Sequence, residues 1–136
     1  GIININIGQA AKQSGISAKM IRYYEEIGLL HAVNRTDAGY RIYAAQDLKA
    51  LHFIKHAREL GFSSEQMRDL LSLWKNTDRQ SAEVKKLALR HIEELNQKIK
   101  SLQEMVLVLE QATECCAGDY GPDCSILNQI EQGLVG

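Results

Sequence analysis

Cys116 and Cys124 close a seven-residue loop, Ala-Gly-Asp-Tyr-Gly-Pro-Asp, that contains the only proline of the chain. Thiols at that spacing have three chemical outcomes: as thiolates they hold a soft metal ion, on oxidation they form a disulfide, and otherwise they are inert. A third cysteine, Cys115, directly precedes the pair. An odd count rules out a complete internal disulfide framework. In a reducing compartment such cysteines more often bind metal or respond to redox state. Residues 125–131 read as a short helix, which sets Cys124 at a helix N-terminus, where the dipole favours a thiolate.

The rest of the chain narrows what such a loop could serve. No nucleophile stands with a base and an orienting group, and the four histidines are scattered, so the chain does not read as an enzyme. Its 136 residues fit one domain or a small domain with an appendage, and 45% hydrophobic residues are enough for a core. No apolar run approaches the roughly 20 residues that span a bilayer. The opening Gly-Ile-Ile-Asn-Ile-Asn lacks the basic region of a signal peptide, so a cytoplasmic protein away from membranes is expected. The net charge of −1 hides an asymmetry: residues 1–60 carry eight Lys/Arg against five Asp/Glu, and residues 61–136 carry eight against twelve. A basic front and an acidic back suit a chain that meets a polyanion with its front half only.

Local patterns supply the elements. Residues 7–14 carry a short helical stripe, Ile7, Ala10 and Ala11, broken by Ser14-Gly15-Ile16. Ser17 is a suitable N-cap for a second helix with Met20, Ile21 and Tyr24 inward. Two short helices about a glycine turn form a helix-turn-helix. After Gly28, residues 29–33 and 40–43 are β-prone runs joined through Asp37-Ala38-Gly39, which predicts a hairpin, or wing. Arg35, Tyr40, Arg41 and Tyr43 are expected on its exposed surface. Leu48, Leu51, Ile54 and Ala57 mark a helix over 46–60. Ser63 and Gln66 then have capping-box spacing for another, with Met67, Leu70, Leu71 and Trp74 inside. Over residues 81–113, Ala88, Ile92, Leu95, Ile99, Leu102, Val106 and Leu109 alternate by four and three, the seam of a coiled coil. A helix that long, with one apolar seam, needs a partner, and a second copy is the simplest.

This succession resembles the MerR family of transcription regulators. The residues that carry the resemblance are Ile7-Gly8-Gln9-Ala10-Ala11, Ile21-Arg22-Tyr23-Tyr24-Glu25, Gly28-Leu29, Arg35, Gly39-Tyr40-Arg41 and Tyr43. It implies a mainly α fold: a winged helix-turn-helix DNA-binding domain with two supporting helices over 5–76, a long antiparallel coiled-coil dimerisation helix over 81–113, and a metal-binding loop with a short helix over 114–136. It also implies that Lys19, Arg22 and Tyr23 face DNA from the second helix, with Arg35, Tyr40 and Arg41 on the wing. The expected partners are double-stranded promoter DNA, RNA polymerase and a second copy of the chain. The homodimer would distort promoter DNA so that polymerase can engage it, and specificity would rest partly on DNA deformability.

Within that family the sequence is most similar to the copper-efflux (CueR-like) branch. Drug-sensing members carry a large extra domain, and this chain ends twelve residues after Cys124; iron–sulfur members need four clustered cysteines. Divalent and mercury sensors have a cysteine where the long helix starts. Here Ser81 stands there, as in copper-efflux regulators, and is read either as a selectivity residue given by the opposite protomer or as an ordinary N-cap. Two thiolates suit a soft monovalent ion, whereas Zn²⁺ nearly always takes four ligands. The resemblance therefore implies Cu(I), with Ag(I) and Au(I) chemically equivalent, bound by Cys116 and Cys124. Cys115, a feature shared with zinc sensors, is either a spectator or a third ligand. A divalent-metal sensor and a thiol redox switch are the alternatives.

Overall fold

A computed structural model describes residues 4–31, 34–115 and 124–133. Six helices and one two-stranded sheet are found among them: α1 (Ile7–Ser14), α2 (Ala18–Glu26), β1 (Asn34–Arg35), β2 (Arg41–Ile42), α3 (Ala45–Glu59), α4 (Ser64–Lys75), α5 (Ser81–Cys115) and α6 (Ser125–Gln132). The chain divides into two compact units, Gly1–Leu87 and Ala88–Gly136.

In the first unit, side-chain caps set where the short helices begin. Asn6 accepts the Gln9 N–H at 2.8 Å and Gln9 returns the bond to the Asn6 N–H at 3.0 Å, a full capping box. Ser17 caps α2 through the Met20 N–H, as its spacing predicts. Between them the buried Ser14 hydroxyl accepts the Ile16 N–H, and Gly15 turns the chain at φ 73°. A Cβ at Gly15 would meet only the flexible end of Lys55, which can swing aside. The cost of Gly15→Ala is therefore conformational, about 1–2 kcal/mol for an L-residue held left-handed. Urea unfolding followed by Trp74 fluorescence should show a loss of that size, and an unchanged midpoint would contradict the turn.

Where β structure was expected from residue 29, the chain closes α2 instead. Gly28 at φ 83° donates its N–H to the Glu25 carbonyl, and Leu29 donates to that of Tyr24 at 2.8 Å. This Schellman arrangement turns Leu29 and Leu30 into the core, both 3% exposed. Gly61 and Phe62 end α3 through the same pair of bonds. The sheet starts later and is small: Asn34 pairs with Ile42 and Arg35 with Arg41. A further bridge joins Ile5 to Tyr43, so the segment before α1 lies beside the wing.

The core is a stripe of α3 (Leu48, Leu51, Ile54, Ala57) against Ala10, Ile21, Tyr24, Met67 and Leu71. Two expectations fail here. Tyr43, read as an exposed wing residue, is fully buried, because pairing with Ile5 turns it inward at the root of the hairpin. Trp74, read as a core anchor, lies at the flank of α4 and is 39% exposed. The inward face of α4 is taken by Met67 and Leu71 at i, i+4, and Trp74 instead stacks on Phe53 with ring centroids 4.5 Å apart.

α5 has 35 residues, roughly 50 Å at ~1.5 Å per residue. Its seam is open in the single chain: Ile92, Ile99, Leu102, Val106 and Leu109 are each 50–58% exposed. Near its end the buried Ala112 offers its carbonyl to the Ser125 hydroxyl, which ties the first turn of α6 to the last turns of α5.

Candidate nucleic-acid interface and metal loop

α2 sorts its side chains by period. Ile21 and Tyr24 point into the core, which leaves Lys19, Arg22 and Tyr23 exposed together at i, i+3 and i+4. Tyr24 is held from behind by Arg58, whose Nη1 donates to its hydroxyl at 3.4 Å. On the wing, Arg35 and Tyr40 are exposed, Tyr40 at 73%. The turn that carries them is closed by Tyr40 and Thr36: the Thr36 N–H donates to the Tyr40 carbonyl at 2.8 Å, and the Tyr40 N–H donates to the Thr36 hydroxyl at 3.1 Å. Arg35 folds back on the same turn, with Nη1 donating to the Gly39 carbonyl at 3.0 Å.

Arg41 differs from the other five residues expected to face DNA. Its side chain is 27% exposed, and its Nε donates to the Glu25 carboxylate at 2.9 Å. Sequence reasoning named Glu25 only as part of a motif and gave it no partner, because the two residues are sixteen apart and meet only when the wing folds onto α2. Tyr43 lies in the same neighbourhood. Burial raises its pKa above that of an ordinary phenol, the Glu25 carboxylate adds to this, and Arg41 and Arg22 oppose it. The group therefore stays neutral at physiological pH. Its hydroxyl has no hydrogen-bond partner among the described residues.

The metal loop is described at one end. Residues 116–123, and with them Cys116, lie outside the described residues, as does the side chain of Cys115, the last residue of α5. Cys124 is half-buried and is the N-cap residue of α6, its carbonyl accepting the Asn128 N–H at 3.0 Å. That is the helix-terminal position expected of it, and there a thiolate is stabilised by the unpaired N–H groups and the dipole of the first turn. Ser81 is exposed and opens α5.

The family profile described as MerR family regulatory protein matches residues 6–43, and the one described as MerR, DNA binding matches residues 48–112. Heavy metal-dependent transcription regulator 2 of Rhizobium meliloti is 49% identical over 129 residues, covering 95% of this chain and 88% of that one. The chain belongs to the MerR family. As a MerR protein it is a DNA-binding transcription regulator and not an enzyme. The HTH-type transcriptional regulator CueR of Yersinia pestis is 40% identical over 93% of this MerR chain and 91% of its own length. Among solved structures, the transcription regulator PbrR691 of Ralstonia metallidurans in complex with lead(II) superposes with a TM-score of 0.79. It is 28% identical and covers 91% of this chain and 97% of its own. No helix among the described residues of this MerR protein is long and apolar enough to cross a membrane.

Proposed function

We propose that this protein is a metal-responsive transcriptional activator in which Cys116 and Cys124 bind Cu(I), or equally Ag(I) and Au(I), and switch on metal-efflux or detoxification genes. The observation that carries the reading is Cys124 at the N-terminus of α6, tied down by the Ser125 bond to Ala112. A two-thiolate complex of a monovalent ion is an anion, and a helix N-terminus is a suitable neighbour for one. Relatives named as heavy metal-dependent regulators and as CueR support the metal response and the copper assignment respectively. Ser81, a hydroxyl where divalent-sensing members resembling this chain have a thiol, favours a low-coordinate site.

In this reading the protein acts in the cytoplasm as a homodimer paired along the α5 seam. Lys19, Arg22 and Tyr23 with Arg35 and Tyr40 meet promoter phosphates, and metal binding changes how the DNA is presented to RNA polymerase. Contacts of this kind set position and register more than base choice. Residues 5–76 form the DNA-binding part, 81–113 the dimer helix and 114–136 the sensor.

The test is anaerobic titration of the reduced protein with Cu(I) and with Zn²⁺ or Pb²⁺, each followed by in vitro transcription. One monovalent ion per loop is expected, lost in Cys124→Ser and retained in Cys115→Ser. Comparable binding and activation by a divalent ion would instead establish the second reading, a divalent sensor, which the likeness to the lead(II)-bound regulator favours. In that case Cys115 is expected to be a ligand. Activation by mild oxidation without metal would establish the redox switch.

A further inference from the structure

We propose that Glu25 is a positioning residue of the DNA interface: it holds the wing against α2 through Arg41 and fixes where Arg35 and Tyr40 sit. The inference rests on the reading of α2 and the wing as the DNA-facing surface.

A carboxylate three residues beyond Arg22 and two beyond Tyr23 is out of place on a face meant for phosphates. Left free it would repel them. It is not free. Arg41 donates to it at 2.9 Å, with the two side chains 27% and 15% exposed, and a half-buried charge-assisted bond of this kind resists screening better than a surface pair. The wing needs such an anchor, since its strands are two residues each and an isolated hairpin of that size is not stable. It also carries a built-in conflict. Arg35 and Arg41 are direct cross-strand partners, and like charges at that position push a hairpin apart. Glu25 takes one of the two guanidinium groups, and the Gly39 carbonyl takes the other. The bridge from Ile5 to Tyr43 fastens the root of the hairpin, while the Glu25 bond fastens the rung that carries Arg35 and adjoins Tyr40.

Two accounts of Glu25 predict opposite signs. If it were only a charge near DNA, Glu25→Gln would tighten binding to every duplex. As a wing anchor, its loss weakens specific binding even though the protein becomes less negative. The measurement uses the full chain and two duplexes: an operator selected from random-sequence DNA by the wild-type protein, and an unrelated sequence of equal length. For Glu25→Gln we expect about tenfold weaker operator binding, the size of one charge-assisted hydrogen bond. The slope of log K against log salt should stay unchanged, with no loss on the unrelated duplex. The double variant Glu25→Arg/Arg41→Glu, which rebuilds the pair with its charges exchanged, should recover most of the tenfold. It also serves if Glu25→Gln alone proves unstable. Tighter operator binding by Glu25→Gln would overturn the proposal, as would no recovery in the exchanged pair. So would an Arg41→Gln variant whose salt slope falls by about 0.9, the signature of a lost phosphate contact. Failure of the wild-type protein to select any duplex would instead refute the DNA-facing surface itself.

Discussion

Aspartate at both Ile99 and Leu102 is expected to yield monomers that fold but have lost most of their operator affinity. Both residues lie on the α5 seam and are more than half exposed in the single chain, at 51% and 58%. A half-exposed substitution harms the isolated helix little, since surface changes are usually within about ±0.5 kcal/mol. In a dimer the same seam is covered, and each double variant places four carboxylates in the interface, where an unpaired charge costs several kcal/mol. Dimerisation joins two DNA-binding units, and such linkage multiplies affinity by about 10²–10⁴ without any new contact. Sedimentation should give the monomer mass, helicity should persist, and affinity for a two-half-site duplex should fall by about that factor. A variant that still sediments as a dimer would mean that the seam is not the interface.

Ile54→Ala is expected to cost the first unit about 2–5 kcal/mol, enough to bring a marginal domain close to unfolding. Ile54 is fully buried at the middle of the α3 stripe, between Leu51 and Ala57, where α1, α2 and α4 converge. Removing its branched side chain leaves a cavity that the surrounding helices can close only in part. The single tryptophan gives a local readout. Trp74 stacks on Phe53, next to Ile54 in sequence, so its fluorescence follows the first unit while far-ultraviolet dichroism is dominated by α5. The fluorescence transition should move to lower urea well ahead of the dichroism. A shift below 1 kcal/mol would show that the core is not centred on this stripe.

The difference between these two experiments follows from how each unit is built. The first unit buries its apolar stripe internally and is stable or unstable by itself. α5 keeps its apolar seam at the surface, so its occupancy depends on concentration and on a second copy. Tyr43 and Arg41 belong to the first kind of problem. Each was read from the alternation of a hairpin strand as pointing outward to DNA, and each is taken inward by a contact made elsewhere, Tyr43 by Ile5 and Arg41 by Glu25.

What could be read without coordinates was whatever is decided within one helical turn. The Ser17 and Ser63 caps, the buried faces of α2 and α3, the start of α5 at Ser81 and the start of α6 after Cys124 all rest on contacts between residues three or four apart. Such contacts form whatever the rest of the chain does, which is why type and spacing suffice for them. The exposed triad Lys19, Arg22 and Tyr23 follows from the same period. Folding had to settle the rest. Leu29 and Leu30 have strand-forming side chains, yet the Schellman turn at Gly28 and the space beneath α2 draw them into the core. Trp74 is large and apolar, but Met67 and Leu71 already fill the inward face of its helix. The Glu25–Arg41 bond joins residues sixteen apart. Its existence depends on the angle between wing and helix, a quantity no local pattern carries.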